Sequence, residues 1–580
     1  MNSRRIVPAA LALLVLWTLG IRLVGIDFLE PQSTEQDAQL VQHLRIERTG
    51  NADEESGYTD AYPYLLPFLL RAMPQLVEVA ETPQTLEEHL AACKSLFTET
   101  RMFIALLSCL TIPLTFLLAR RFTSPPWALF ASALVSASVL THTFAQQARP
   151  HAAAAPFMLL AIVAALRLRA NPSWANYVLA GLAAALGLGV LHNGAAVVLA
   201  GLAAHFLREG PRRASDHVKL LVPVALVAFG LWLFYPFFFA ASNPDIAAKM
   251  ERTADGVTFG RHTVDFAQFS FGGTLTILRT LAAYEPGLGL LLVLALVVWF
   301  AARKGKLGAA PQATTRDAWV VLAYALPMGL VLASFDETYD RFLIPMLPYL
   351  AAFAAFGLGR CAASPTLAPA LRRGIVALGL VALGIQALAC AKLSWLRASD
   401  DPMERASTYL GATFDPATTP LYVAPTIDLP FARTDESLFN KRGQRRIAYS
   451  RWAKYQGHRK GNPLPEPRWN VTYIGASKEL GFQTADSIAE NPQGFLDALG
   501  PGIYVLAAGK LAGHPSERAF YDAVRERGEL LWRAAPHDSG PWRDASIPFQ
   551  PMDIAPAVIW RVLTASAVGP PVEIYRVEPR

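Results

Sequence analysis

The stretch "IVPAALALLVLWTLGIRLVGIDFLEPQSTEQDAQLVQHL" (residues 6–44) passes from one solvent to another. Residues 6–25 are almost wholly apolar, and a run of that length is enough to cross the roughly 30 Å hydrocarbon core of a bilayer. Arg4 and Arg5 precede it, as they would in a signal peptide. No small-residue cleavage pattern follows, so the run reads as an uncleaved first membrane helix. The chain then presents Glu30, Glu35 and Asp37. Ser33 and Gln36 fit a capping box, and carboxylates suit the positive end of a helix dipole. A helix is therefore expected to open near Glu35, with Leu40, Val41 and Leu44 on one face. The same acids also fit a second role, that of a general base at a membrane surface. Glu35 and Asp37 are two residues apart and on a helix point about 200° apart, so one could face a cavity while the other caps.

The bulk composition favours a membrane protein. The 580 residues are 53% hydrophobic and 17% charged, with mean hydropathy +0.29, whereas soluble domains carry about 25% charged residues. The net charge of +6 is modest. Basic clusters with interleaved aromatics are absent, so no nucleic-acid partner is expected. Cys93, Cys109, Cys361 and Cys390 show neither metal spacing nor a disulfide framework. Nucleotide-phosphate motifs are missing, which argues against an ATP-driven transporter on this chain.

Apolar runs recur near 6–25, 102–119, 127–144, 152–167, 176–190, 194–207, 218–240, 285–302, 318–334, 342–358 and 374–391. With the N-terminus in the cytoplasm, "RR" at 120–121, "RLR" at 167–169, "REGPRRASDHVK" at 208–219, "RKGKLG" at 303–308 and "RCAASPTLAPALRR" at 360–373 all fall inside, as the Lys/Arg rule requires. That pattern needs 176–207 to be two short spans hinged at His192-Asn193-Gly194. The expected fold is mainly α: a polytopic membrane domain over 1–392 with about eleven transmembrane helices and outer loops at 26–101 and 241–284. A small extracytoplasmic α/β domain is expected over 393–580, where "PLYVAP", "WNVTYIGA", "GIYVLAAG" and "VEIYRV" alternate with helix-like "NPQGFLDALG" and "ERAFYDAVRERGELLW".

Polar residues at the outer ends of these spans are the candidates for chemistry. "QQARPHAAAAPF" sets Arg149 and His151 where the fourth span begins, and "SFDETYDRFLIPMLPYL" crowds Asp336, Glu337, Asp340 and Arg341 before another. Such cations could hold a phosphate, or an Arg could simply snorkel to the interface. His192 at the hinge reads first as a hydrogen-bonded packing residue. Arg261 and His262 form a weaker phosphate candidate. Placement on one outer face is the informative feature of this group.

The order of these features resembles the GT-C class of membrane glycosyltransferases, in particular the bacterial protein-mannosyltransferase-like group (glycosyltransferase family 39 and relatives). In that family a first span leads to an acidic pair opening an amphipathic helix, here "STEQDAQLVQHL". A tyrosine-proline segment follows, here "YPYLLPFLLRAM". Spans opening on "aRp" and "RYllPllP" patterns come later, here "QQARPHAAAAPFMLLAIVAAL" and "RFLIPMLPYL". The family's Asp-Glu pair falls on Glu35-Gln36, with Asp37 one step away. The resemblance implies sugar transfer from a polyprenyl-phosphate donor to a protein, lipid or glycan acceptor, with inversion, on the outer face of the cell (inner) membrane. Glu35 or Asp37 would act as base. Arg149, His151 and Arg341 would hold the donor phosphate, and His192, Tyr62, Tyr339, Arg261 and His262 are candidate substrate contacts. Membrane lipids are implied partners; no cofactor is implied and a divalent metal stays open. The alternative is a non-catalytic relative, or a flippase that binds lipid-linked sugars without cleaving them.

Overall fold

The computed structural model describes residues 3–32, 35, 39–49, 63–209, 214–235, 256–259, 262–303, 312–439, 451–459, 464–477, 479–508, 515–540 and 557–580. The chain forms two compact units. The first comprises Met1–Leu23, Asp37–Pro74 and Thr100–Ala391; the second comprises Val24–Gln36, Gln75–Glu99 and Lys392–Arg580.

The first unit is a helical bundle, and the protein is a multi-pass membrane protein. Among the described residues seven helices are long and apolar enough to cross a bilayer, or up to nine if each of two bent pairs counts as one span. The bent pairs are Pro125–Ser136 with Val139–Ala145 (51°) and Gly272–Tyr284 with Pro286–Phe300 (116°). Large apolar side chains such as Leu13, Leu221, Val293 and Trp319 lie exposed on this unit, a surface that suits lipid and not water. The helix Pro150–Ala170 is the most enclosed of the spans. Its Ala152–Ala155 run has almost no side chain to hold neighbours away, and the helices Trp174–Val190 and Val197–Phe206 pack against it.

Residues 176–207 break at the expected hinge. The helix Trp174–Val190 ends, a 3-10 turn covers His192–Ala196, and a second helix runs from Val197 to Phe206. Gly194 makes the turn tight, since a Cβ there would stand 2.0 Å from the Gly187 carbonyl oxygen. "RLR" is more than a basic loop. Arg169 is buried, ion-paired with Asp317 and 3.1 Å from Glu209. An antiparallel hairpin, β1 (Gly256–Phe259) with β2 (His262–Asp265), precedes the helix Gly272–Tyr284.

The second unit holds a five-stranded mixed sheet ordered β4-β3-β5-β7-β6: β3 Leu421–Val423, β4 Val471–Tyr473, β5 Gly502–Ala507, β6 Glu529–Ala534 and β7 Val572–Val577. β3 runs parallel to β4 and β5, while β7 is antiparallel to β5 and β6. β5 reads "GIYVLA" and is buried from Ile503 onward, as a strand covered on both faces must be. Asp401 and Glu404 form a reciprocal capping box on the helix Pro402–Thr413. One expected element changes type. "ERAFYDAVRERGELLW" is helical only within Pro515–Arg527, after which the chain turns at Gly528 into β6.

The acidic turn also departs from expectation. Glu35 lies in non-helical chain and the helix is described from Gln39 to Thr49; Ser33, Gln36 and Asp37 lie outside the described residues. The cause is tertiary. Residues 24–32 form turns with positive φ at Gly25 and Leu29. Contacts within the second unit hold them: Glu30 to Arg451 at 3.2 Å, Gln32 to Glu404 at 3.3 Å, Asp27 to Lys94, and Arg397 4.0 Å above the Phe28 ring. Leu40, Val41 and Leu44 are buried together, as their spacing implied.

Candidate functional site

The first unit gathers three of the expected cations. Arg149 is the N-cap of the helix Pro150–Ala170, with Pro150 at its first position, where a missing N–H costs nothing. Arg149 is fully buried and His151 nearly so. Arg341 belongs to a 3-10 helix, Asp340–Met346, capped by Tyr339 and packed against the head of that α-helix. The Arg341 guanidinium lies 4.3 Å from the Tyr339 ring centroid and 5.3 Å from that of Phe342. Phe342 in turn lies 5.5 Å from the His151 ring. Asp340 is buried, accepting 2.7 Å from the Arg341 N–H and 3.2 Å from the Tyr284 hydroxyl. The 3-10 helix thus sets Arg341 beside the helix head that carries Arg149 and His151. The result is a cationic cluster, rimmed by aromatic rings, at the positive end of a helix. Oriented N–H groups and guanidinium forks of this kind hold oxyanions.

The loop before Arg341 is braced. Asp336 accepts from the Ser270 hydroxyl at 2.6 Å and the Gly272 N–H at 2.7 Å, and these bonds hold its carboxyl below the usual carboxylate range. Glu337 accepts from Gln268 at 2.9 Å. The run "DETYD" is thus divided between loop bracing and the site.

A small cavity is lined by Leu40, His43, Pro63, Leu66, Pro67, Pro150 and Val190. It brings the helix Gln39–Thr49 and the short helix Leu65–Arg71 beside Pro150, which stands between Arg149 and His151. His43 meets Tyr64 edge-on, with ring centroids 5.3 Å apart. His192 makes a separate pair, its ring 5.5 Å from that of Tyr235, whose hydroxyl donates to the Leu188 carbonyl at 2.8 Å. Glu35 is half-buried in the second unit. Asp37, Tyr62 and Arg261 lie outside the described residues, as does the side chain of His262, whose backbone pairs with Phe259.

The structure adds groups that the sequence reading did not single out. Glu285 is wholly buried between two helices and accepts from the Ser138 hydroxyl at 2.6 Å, the Leu140 N–H at 3.0 Å and Gln386. Arg22 is also fully buried, donating 2.7 Å to Ser108, and its carbonyl accepts from Gln146 at 3.1 Å. Each was visible as an ionisable residue inside an apolar run, which is a functional signal in a membrane protein. Among the described residues no group of three or more His, Cys, Asp or Glu side chains is arranged to hold a metal.

A family model described as dolichyl-phosphate-mannose-protein mannosyltransferase matches residues 92–239, a stretch that includes Arg149, His151 and His192. Over it the chain resembles the GT-C class, in agreement with the motif order. No curated protein sequence matches. Among solved structures, an oligosaccharyltransferase from Archaeoglobus fulgidus in the apo form is similar at 11% identity over 91% of this chain and 73% of that one, with TM-score 0.45. ArnT from Cupriavidus metallidurans bound to undecaprenyl phosphate is similar at 13% identity over 90% and 96%, with TM-score 0.41. The Pmt1–Pmt2 protein O-mannosyltransferase complex of S. cerevisiae bound to its sugar donor is similar at 16% identity, with TM-score 0.32. In that last case 43% of this chain is covered and the chain spans 36% of the yeast protein's length.

Proposed function

We propose that this protein is an integral-membrane glycosyltransferase that moves a hexose or pentose from polyprenyl phosphate to an acceptor hydroxyl on the extracytoplasmic face, with inversion. The acceptor oxygen attacks the anomeric carbon, and the bond from that carbon to the phosphate oxygen breaks. The hydroxyl proton passes to Glu35 or Asp37. The departing polyprenyl phosphate is held by Arg149 and Arg341, positive groups set where negative charge develops, with His151 as a hydrogen-bonding neighbour. Tyr339, His192, Tyr62, Arg261 and His262 are proposed sugar or acceptor contacts. Residues 393–580 are proposed as an extracytoplasmic domain.

One observation carries the reading. Arg149, His151 and Arg341 converge on the head of one buried helix, within an apolar bundle.

The test is release of free polyprenyl phosphate from labelled polyprenyl-phosphate sugars by purified protein in nanodiscs. A positioned base contributes about 100- to 10,000-fold, so Glu35→Gln with Asp37→Asn should lose release by that factor while remaining folded. Full turnover in the double variant refutes the base assignment. Translocation of intact donor, with no phosphate released by the parent protein, would show a flippase instead.

A further inference from the structure

We propose that Glu285 is a positioning residue for the phosphate-binding arginines. The inference rests on the glycosyltransferase reading of the Arg149–Arg341 cluster. Glu285 sits at the 116° bend between Gly272–Tyr284 and Pro286–Phe300. Its carboxylate reaches into the other bend, that between Pro125–Ser136 and Val139–Ala145. There it accepts from Ser138, the N-cap of the helix Val139–Ala145, and from the Leu140 N–H in that helix's first turn. Gln386, from the long helix Pro369–Arg397, donates from a third side. Glu285, Ser138, Leu140 and Gln386 are all buried. One carboxylate therefore ties together two broken helix pairs and a third helix.

Both arms of the clamp lead to the cations. On one side the helix Val139–Ala145 runs forward to Gln146, which is fastened to the Arg22 carbonyl, and then to Arg149. On the other side the residue before Glu285 is Tyr284, whose hydroxyl donates to Asp340, the neighbour of Arg341. Fixing the bend thus sets how the two guanidinium groups stand to each other. A buried carboxylate in a membrane bundle is costly to keep, and this one needs no other partner to account for its position. Glu285 is given no contact with substrate, so its effect should pass through Arg149 and Arg341.

The probe is undecaprenyl phosphate, whose binding to purified protein in nanodiscs is titrated. Coupled sites interact by enough to change affinity about 3- to 100-fold, and Glu285→Ala should weaken binding within that range. Glu285→Gln keeps an oxygen for Ser138 and Leu140 and should recover to within about 3-fold of the parent. In an Arg149→Ala background the Glu285→Ala effect should shrink, since only the Arg341 arm remains. Unchanged binding in Glu285→Ala, failure of Gln to rescue, or full additivity with Arg149→Ala each overturns the proposal. Should Glu285→Ala fail to fold, Ser138→Ala removes one of the same bonds and should show the smaller loss; no loss overturns the proposal. If the parent protein does not bind undecaprenyl phosphate, the donor assignment fails instead. Hydrogen exchange then decides the clamp alone. Glu285→Ala, or Ser138→Ala in its place, must raise exchange in residues 139–149 and 338–346 together, and no change in either overturns it.

Discussion

Replacing Asp317 by Ala should destabilise the bundle far more than replacing Glu209, although both carboxylates pair with Arg169. Arg169 lies in the last turn of the helix Pro150–Ala170, its side chain 3% exposed. Asp317 belongs to the helix Gln312–Ser334 and is 6% exposed, whereas Glu209 is 53% exposed at 3.1 Å. Removing one member of a buried pair leaves an uncompensated charge and costs about 3–5 kcal/mol. Glu209 still screens Arg169 in the variant, which puts the expected loss at the lower end, about 3 kcal/mol, or roughly two orders of magnitude in the folded-to-unfolded ratio. Glu209→Ala should cost less than about 1 kcal/mol, because water already surrounds that carboxylate. Replacing both buried charges, Arg169→Met with Asp317→Leu, should recover most of the loss, since an apolar pair of similar volume has no desolvation to offset. The assay is reversible denaturant unfolding of purified protein in mixed micelles, completed as a double-mutant cycle. If Asp317→Ala costs no more than Glu209→Ala, or if the double replacement is as unstable as the single one, burial does not govern this pair and the reasoning fails.

Other consequences can be checked with similar material. Gly194→Ala should collide with the Gly187 carbonyl and destabilise the turn by about 1–3 kcal/mol; a melting temperature equal to the parent's would contradict the close approach. Arg149→Ala and Arg341→Ala should each reduce donor turnover by about 10- to 100-fold, the worth of one lost charge-assisted contact, and a variant that turns over donor normally removes that arginine from the site. In the second unit, burial and the Arg561 charge hold His537 below the ordinary histidine value of 6.5. The unfolded chain then binds a proton that the folded one resists, so stability should fall as pH drops below about 6.5. His537→Gln should flatten that slope in an unfolding titration; an identical slope would exclude His537 as its source.

Much of the molecule was legible because the physics involved is local. Apolar runs announce helices whatever they pack against, and "GIYVLA" and "VEIYRV" announce strands by their β-branched and aromatic content. The hinge at His192 was legible through the Lys/Arg pattern of the loops around it. Arg149, His151 and Arg341 were legible as cations at helix heads, a signal that does not depend on which helices meet. Glu35 was expected in a helical turn and lies in non-helical chain, where the contacts of Asp27, Glu30 and Gln32 had not been weighed. β6 was misread because the helical pattern of 517–527 was carried through Gly528.

The sequence by itself determined that this is a membrane protein of many helices with an α/β tail, and which polar residues stand at span ends. Hydrophobic transfer energy and helix-end electrostatics are properties of short segments, so they can be read along the chain. Only the tertiary structure decided that Asp340 and Tyr284 join the arginine cluster, that Arg169 is a buried ion pair, and that Glu285 clamps two bent helix pairs. Those contacts join residues as far apart as Ser138 and Glu285, or Glu285 and Gln386. Which distant segments pack together follows from how all the helices fit at once, and no local pattern encodes that.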